Sequence, residues 1–169
     1  GWHISLHGFY LQPLGSMGDV FGPGYGGLIG VTRYHTLFSN FNVGIRTGYL
    51  TFDTKHDAYD TYFMLPLLVH IEYMIMPFSK FYINLHVSAG ASYNSLDISD
   101  DFTNKVAGSS IILKDNAVIQ PLVMAGISAT FVISKSMQIS AGCNYSSILE
   151  EGRRLDFLAF QFAAGVRIF

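Results

Sequence analysis

Histidine and acidic side chains are the residues of this sequence whose types could bind a metal ion or support catalysis. The chain contains six histidines. His3 and His7 are four residues apart in a predicted strand, which separates them by about 13 Å, too far to share one metal ion. His56 lies in a predicted polar loop with three aspartates, where a weak surface cation site is the alternative to the favoured interpretation, a solvated loop. The three aspartates are Asp53, Asp57 and Asp60.

A second acidic cluster is formed by Asp97, Asp100 and Asp101. It lacks the twelve-residue spacing of a calcium-binding loop, so it too is interpreted as solvated. The net charge of −2 provides no basic surface for nucleic acid. Cys143 is the one cysteine, so no internal disulfide can form. We therefore expect no catalytic, cofactor-binding or metal site and no nucleic-acid partner.

The clearest structural pattern is the alternation from residue 81 to residue 94. One set of alternate positions is entirely apolar or aromatic: Phe81, Ile83, Leu85, Val87, Ala89, Ala91 and Tyr93. The intervening positions are polar or glycine, apart from Tyr82. This period of two predicts a strand with one apolar and one polar face. It exceeds the ~9–11 residues that a tilted strand needs to cross a bilayer, and aromatic residues stand at both ends of its apolar face.

The same pattern along the chain predicts eight strands in a single domain, residues 1–169. The expected strands are 2–11, 25–35, 41–52, 61–73, 81–94, 118–132, 137–149 and 155–169. In the second strand the inward face is ambiguous, because Leu28 and Ile29 fall on opposite faces. The connections alternate between long loops (12–24, 53–60, 95–117, 150–154) and short turns. Such alternation is typical of an up-and-down antiparallel transmembrane barrel with both termini in the periplasm.

The composition agrees with a membrane location. Half of the residues are hydrophobic (50%) and the mean hydropathy is +0.32, while 13% are charged, compared with about 25% in soluble domains. Residues 116–134 carry no formal charge, which makes a membrane helix an alternative there. Gln120, Pro121 and the alternation from Val123 to Phe131 favour a strand. Since the strand pattern starts at Trp2, we expect a processed, mature chain.

Aromatic residues are predicted to form two girdles at the membrane interfaces. The rim with the short turns would carry Trp2, Phe41, Tyr73, Phe81, Phe131 and Phe169, and the opposite rim Tyr10, Tyr49, Phe63, Tyr93, Tyr145 and Phe160. With these strands, turns and terminal Phe169, the chain resembles the small eight-stranded outer-membrane barrels of the OmpA/OmpX type. The resemblance covers nearly the whole chain and implies a bacterial outer-membrane location. Arg167, third from the end, departs from the family pattern of an aromatic or apolar residue there.

Charged residues on the inward faces are predicted to form a polar cluster. Arg46, Glu72, Arg167 and His86 fall on these faces, and a buried charge needs a partner. An eight-stranded barrel is narrow enough to be filled by side chains, so a structural Arg–Glu cluster is favoured over a narrow gated path. Gln138, Gln161 and Asn84 would complete the cluster. Strand prolines Pro66 and Pro121 are expected at bulges or rim positions.

The leading functional hypothesis is a non-enzymatic membrane anchor that presents extracellular loops. Its partners would be membrane lipid, lipopolysaccharide or a protein that contacts the loops. A second hypothesis is a subunit of an envelope complex that docks another membrane protein through the barrel wall. The third is an enzyme acting on outer-leaflet lipid, which would need Ser146 or Ser147, Glu150 and a histidine such as His56 close together.

Overall fold

The computed structural model describes residues 1–36, 38–55, 59–98 and 116–168. Its strands are β1 (Trp2–Leu14), β2 (Phe21–Arg33), β3 (Phe41–Thr54), β4 (Tyr59–Phe78), β5 (Phe81–Ile98), β6 (Asn116–Val132), β7 (Met137–Glu150) and β8 (Arg153–Ile168). A short helix, α1 (Gly15–Val20), joins β1 to β2. Each strand pairs antiparallel with the next and β1 pairs with β8, which closes the barrel. The predicted eight-stranded up-and-down barrel is thereby confirmed.

The two rims of the barrel carry different connections. We call the one with Trp2, Ile168 and the β2–β3, β4–β5 and β6–β7 connections the terminal rim, and the opposite one the α1 rim. Connections at the α1 rim are shorter than the sequence predicted. Much of the expected loops 12–24, 53–60 and 150–154 is strand or helix, because the strands continue past their alternating segments. β4 likewise runs on through Phe78, beyond the expected end at residue 73.

Alternating burial along β1 confirms the predicted facing of this strand. Leu6 is 66% exposed on the outer wall, whereas its neighbour His7 is 4% exposed in the lumen. The structure also settles the facing of β2, where Leu28 is buried and Ile29 is exposed. The barrel therefore turns its apolar side chains outward along most of its height.

The strand prolines are accommodated without a local register shift. Pro66 pairs with Ser92 of β5 in continuous register. On its other side, the pairing of β4 with β3 is interrupted between Leu67 and Met64, which is where Pro66 lies. Pro121 pairs with Ala91 of β5, and the pairing of β6 with β7 begins only at the next residue. The expected bulges are absent at these two described residues, because each proline lies where one neighbouring ladder is interrupted or has ended.

Two layers of side chains fill the lumen. Toward the α1 rim lies an apolar plug, formed by Phe9, Leu11, Met17, Phe21, Leu28, Leu50, Phe52, Tyr62, Met64, Leu68, Leu122, Met124, Ile148, Leu155, Phe157 and Ala159. Toward the terminal rim lies a polar layer, formed by His3, Ser5, His7, Thr32, Asn42, Arg46, His70, Glu72, Asn84, His86, Ser88, Ser128, Thr130, Asn144 and Gln161. α1 covers the plug with Met17, which is fully buried. The Lys55 side chain, just after β3, donates a hydrogen bond to the Gly18 carbonyl (2.7 Å) and so links α1 to the end of β3.

The stretch from residue 116 to residue 132 is the strand β6 rather than a membrane helix. No helix among the described residues has the length and hydrophobicity required to cross a bilayer. The alternative of a helical span is therefore wrong for this segment.

Adjacent leucines of β4 allow a test of the plug. Leu68 is 1% exposed in the plug, and Leu67 is 60% exposed on the outer wall. We expect Leu68→Ala to lower the free energy of unfolding by about 3–5 kcal/mol, because it removes buried methyl groups and leaves a cavity. Leu67→Ala should cost at least about 1 kcal/mol less, because lipid chains fill the space it vacates. Reversible urea unfolding in lipid vesicles measures both, and equal losses would contradict a tightly packed plug.

Candidate functional site

The best candidate for a functional site is the charged centre of the polar layer. Arg46 of β3 donates a hydrogen bond from its Nη2 to the Nε2 of His70 on β4 (2.8 Å). The other ring nitrogen of His70, Nδ1, lies 2.8 Å from Ser88 Oγ on β5. Asn42 Nδ2 donates to Glu72 Oε1 (2.8 Å). These residues are less than 10% exposed, so three neighbouring strands hold a buried cation, an imidazole and a carboxylate together.

His70 lies between the two charges and fixes the pattern of donors. A guanidinium can only donate, so Nε2 must accept from Arg46, and a neutral imidazole then carries its proton on Nδ1 and donates to Ser88. The Glu72 carboxylate lies 3.4 Å from the same Nε2, with no proton left between them. Among the described residues, the hydrogen-bond donor to the Glu72 carboxylate is therefore Asn42. Arg46 and Glu72 are both buried in this centre, where their charges lie on either side of an imidazole rather than in direct contact.

The remaining predicted members occupy two different settings. His86 is buried and its Nε2 is hydrogen-bonded to Asn144 Oδ1, and Asn144 in turn donates to Gln161 (3.4 Å). Arg167 is exposed at the terminal rim, where its guanidinium lies 5.5 Å from the centre of the Tyr34 ring. The placement of Arg167 in the buried cluster is therefore wrong, because β8 reaches the barrel mouth at that residue.

Tyr34 and Gln138 lie beneath Arg167. Gln138 Nε2 donates to the Tyr34 hydroxyl (3.0 Å), and burial raises the pKa of the Tyr34 phenol, which keeps it neutral. With Met74 and Tyr82, Tyr34 forms a small buried apolar cluster at the terminal-rim end of the lumen. The polar layer therefore lies between this cluster and the apolar plug.

A cavity of about 30 Å³ lies within the polar layer. Four atoms of its lining residues make no hydrogen bond to the described part of the protein: His3 Nε2, His7 Nδ1, Arg46 Nε and Asn84 Oδ1. The cavity has room for about two water molecules, each of which needs roughly 10–15 Å³ and two or more polar partners. Nothing the size of a metabolite fits there.

Ser88, His70 and Glu72 combine the residue types of a hydrolytic triad. Here the serine faces Nδ1 and the acid approaches Nε2. Because Nε2 accepts a hydrogen bond from Arg46, Nδ1 carries the proton and has no lone pair with which to take the Ser88 proton. All three are buried beside a water-sized cavity. The arrangement therefore positions charges and cannot admit a scissile bond.

The serines proposed for an enzyme do not assemble a site either. Ser146 is buried in the barrel, and its Oγ has no hydrogen-bond partner among the described residues. Ser147 lies on the outer wall and donates to Asp156 Oδ1 (2.6 Å). Neither is hydrogen-bonded to a histidine within the ranges that the structure describes, and His56 lies outside those ranges. In the same ranges no group of three His, Cys, Asp or Glu residues is placed to hold a metal ion. The His56 loop and the acids at 100 and 101 lie outside them.

Aromatic residues lie on the outer wall in two belts. At the terminal rim, Phe41 packs against Tyr73 with ring centres 5.0 Å apart, and Phe81 pairs with Phe131, while Trp2 is 49% exposed. Toward the α1 rim the belt contains Tyr10, Phe160, Tyr49, Phe63, Tyr93 and Tyr145. Tyr25, 64% exposed and opposite Tyr10, joins this belt. Tyr25 was not predicted as a member of this belt because the sequence did not show which face of β2 points outward. Phe169 lies outside the described residues.

His70 and Asn42 were also missing from the predicted cluster. Both occupy inward positions of strands whose alternation was recognised. Their importance depends on register, which pairs Asn42 with Glu72 and Gly44 with His70. The period of a strand identifies its faces but does not identify which residues lie opposite each other.

Solved structures of small outer-membrane barrels have the same fold. Neisserial surface protein A (NspA) matches with a TM-score of 0.63 at 12% identity, covering 99% of this chain and 97% of that one. A major outer membrane protein from Thermus thermophilus gives 0.67 at 11% identity, covering 99% and 100%. Ail of Yersinia pestis gives 0.59 at 10% identity, covering 99% and 97%. No family model and no curated sequence matches the chain. The chain therefore has the fold of the small eight-stranded outer-membrane β-barrels.

The charged centre can be tested by a double-mutant cycle. Glu72→Gln should lower the free energy of unfolding in vesicles by about 3–5 kcal/mol, because it leaves the buried Arg46 cation uncompensated. Combined with Arg46→Met, the loss should be at least about 1 kcal/mol smaller than the sum of the single losses, as expected for residues of one network.

The matched control is Glu151→Gln in the β7–β8 connection. Glu151 is exposed and forms no ion pair with the described residues, so its loss should change stability by less than about 1 kcal/mol. Strict additivity of Glu72→Gln and Arg46→Met would show that the two charges are not coupled through His70.

Proposed function

We propose that this protein is a non-conducting, non-enzymatic anchor of the bacterial outer membrane, with its terminal rim in the periplasm and the connections of its α1 rim forming an extracellular binding surface. The observation that carries the proposal is the filled lumen. With the interior occupied, the outer surface and the two rims are the parts of the barrel left to meet other molecules.

The apolar plug supports the absence of conduction. Leu50, Phe52, Met64 and Phe157 are at most 1% exposed. The first three come from the neighbouring strands β3 and β4, and Phe157 comes from β8, which lies across the lumen from β4. Phe52 and Phe157 pack edge to face, with ring centres 5.3 Å apart. An ion crossing this layer would lose its hydration without a polar partner, which costs many kcal/mol.

The connections of the α1 rim support a binding role through their charge. Segments 12–24, 53–60 and 95–117 each contain more acidic than basic residues, and segment 150–154 contains two of each. Direct contact with lipopolysaccharide phosphates would be repulsive there without bridging divalent cations. A cationic or neutral partner fits these segments better. One structure of Ail contains sucrose octasulfate, a heparin analogue; the acidic rim of the present chain argues against a polysulfated ligand.

Conductance measurements test the sealed lumen. Purified protein inserted into planar lipid bilayers should give no discrete current steps in 1 M KCl. A recording from an open 16-stranded porin under the same conditions is the positive control. Reproducible single-channel steps that scale with protein concentration would overturn the non-conducting assignment and restore the gated path.

Cysteine labelling tests the orientation. In a Cys143→Ser background, Glu151→Cys places a thiol in the exposed β7–β8 connection, and Ser79→Cys places one in the exposed β4–β5 turn. In intact cells a membrane-impermeant maleimide should label only the first variant, and both after lysis. The reverse pattern would show that the terminal rim faces outward.

A depression in the outer wall supports the second candidate, docking of another membrane protein. It measures about 690 Å³ and has a floor of small residues, Gly8, Ala129, Ala141 and Ala164, between the bulky side chains Leu6, Phe81, Phe131, Ile139 and Phe162. Small residues let a neighbouring helix or strand approach closely. Native mass spectrometry of protein extracted gently from its own outer membrane separates the two candidates. A lone 18.7 kDa species with bound lipid favours the anchor, and a stoichiometric protein partner favours the subunit.

A further inference from the structure

Basic residues are segregated at the terminal rim. Arg33 ends β2, Lys80 lies in the β4–β5 turn, Lys135 lies in the β6–β7 turn and Arg167 is near the end of β8. No Asp or Glu occurs in the corresponding segments 33–41, 78–81, 132–137 and 166–169. Every connection at this rim therefore contains or adjoins a Lys or Arg and none contains an acidic side chain. The α1 rim has the opposite charge balance.

The basic side chains at this rim are unpaired and exposed. None of the four forms an ion pair with the described residues, whereas Arg153 and Arg154 at the α1 rim both do. Arg33, Lys80 and Lys135 lie at the wall or at turn tips, and Arg167 turns into the barrel mouth over Tyr34. Three cations are thus free to meet something beside the barrel.

Exposed apolar side chains accompany each of these three cations. The Arg33 guanidinium lies 5.8 Å from the centre of the Trp2 ring. Phe78, 72% exposed, precedes Lys80 by two residues, and Ile133, 51% exposed, precedes Lys135 by two. An apolar group beside an amphipathic cation is the arrangement that spans the boundary between acyl chains and lipid headgroups.

We propose that the terminal rim binds anionic phospholipid headgroups through Arg33, Lys80 and Lys135. The three cations lie on β2 and on the β4–β5 and β6–β7 turns, so they are spread around the circumference. A ring of separated cations matches an annular lipid layer better than it matches a compact protein partner, which would need one contiguous patch.

The strength of this interaction follows from its setting. Each Lys or Arg near an anionic lipid surface contributes about 1 kcal/mol, which is about a five-fold local enrichment, and the effect weakens beyond a Debye length or in high salt. The lipid preference needs only that the barrel spans a bilayer. Its assignment to the inner leaflet of the outer membrane rests on the proposed orientation with the terminal rim in the periplasm.

Trp2 provides a local reporter, since it is the one tryptophan of the chain and it contacts Arg33. The protein is folded into vesicles of phosphatidylcholine and phosphatidylglycerol in which one lipid or the other carries brominated acyl chains. Bromine quenches tryptophan by contact, so the ratio of the two quenching efficiencies gives the local enrichment of phosphatidylglycerol. We expect an enrichment of about two- to five-fold in the wild type.

A charge-matched pair of variants identifies the cause. Arg33→Gln/Lys80→Gln/Lys135→Gln should bring the enrichment close to one, and Arg33→Lys alone should retain most of it. Lys55→Gln/Arg153→Gln/Arg154→Gln removes the same charge from the α1 rim and should leave the enrichment at Trp2 unchanged. Raising NaCl to 0.5 M should abolish the preference in the wild type, which tests the same interaction without any substitution.

Equal quenching by the two brominated lipids in the wild type at low salt would overturn the proposal. So would a preference that survives 0.5 M NaCl or the terminal-rim triple variant. The result is independent of orientation in cells, because the vesicles are symmetric. If maleimide labelling reverses the orientation while the enrichment remains, the lipid site stands and its assignment to the inner leaflet fails.

Discussion

The narrow lumen of an eight-stranded barrel is the constraint on which the rest of this structure depends. A bilayer requires every backbone N–H and C=O to be paired, and closing β1 onto β8 achieves this without an exposed edge. Closure with eight strands leaves an interior just wide enough for side chains. The sequence must therefore supply an apolar outer wall and a filling of defined volume at the same time, and both demands act on alternate residues of the same strands.

The polar layer fits into the narrow lumen because glycines lie opposite its large polar side chains. Gly44 pairs with His70 and leaves room on the inward face, and Arg46, the next inward residue of β3, hydrogen-bonds to that imidazole. Gly126 pairs with both His86 and Asn144, and a Cβ at Gly126 would clash with Asn144. The inward glycines thus do more than relieve crowding, because they determine where the imidazoles and the guanidinium can lie.

This complementarity explains how far the sequence could be read. Alternation in β1, β3, β4, β5 and β7 was enough to assign strands, faces and the inward position of Arg46, Glu72 and His86. It failed where a face is mostly glycine, as in β2, and where α1 is too short to show a helical period. Alternation also misplaced Arg167. This residue occupies an inward-facing position of β8, but it lies at the mouth of the barrel rather than within the buried polar layer. The register between strands and the position of a residue along the barrel axis depend on tertiary structure. The role of His70 between Arg46 and Glu72 could therefore not be predicted from the strand period alone.

Filling the lumen also determines where the protein can interact. A sealed barrel gains binding energy only from its wall and rims, and these surfaces differ in chemistry. The wall is apolar, the segments of the α1 rim are acidic on balance, and the terminal rim is basic without an acidic side chain. Such a separation is not needed for folding, because Arg153 and Arg154 show that rim cations can be neutralised locally by neighbouring acids. Leaving Arg33, Lys80 and Lys135 unpaired keeps their charge available to the surroundings, and in a membrane the nearest abundant anion is a lipid phosphate.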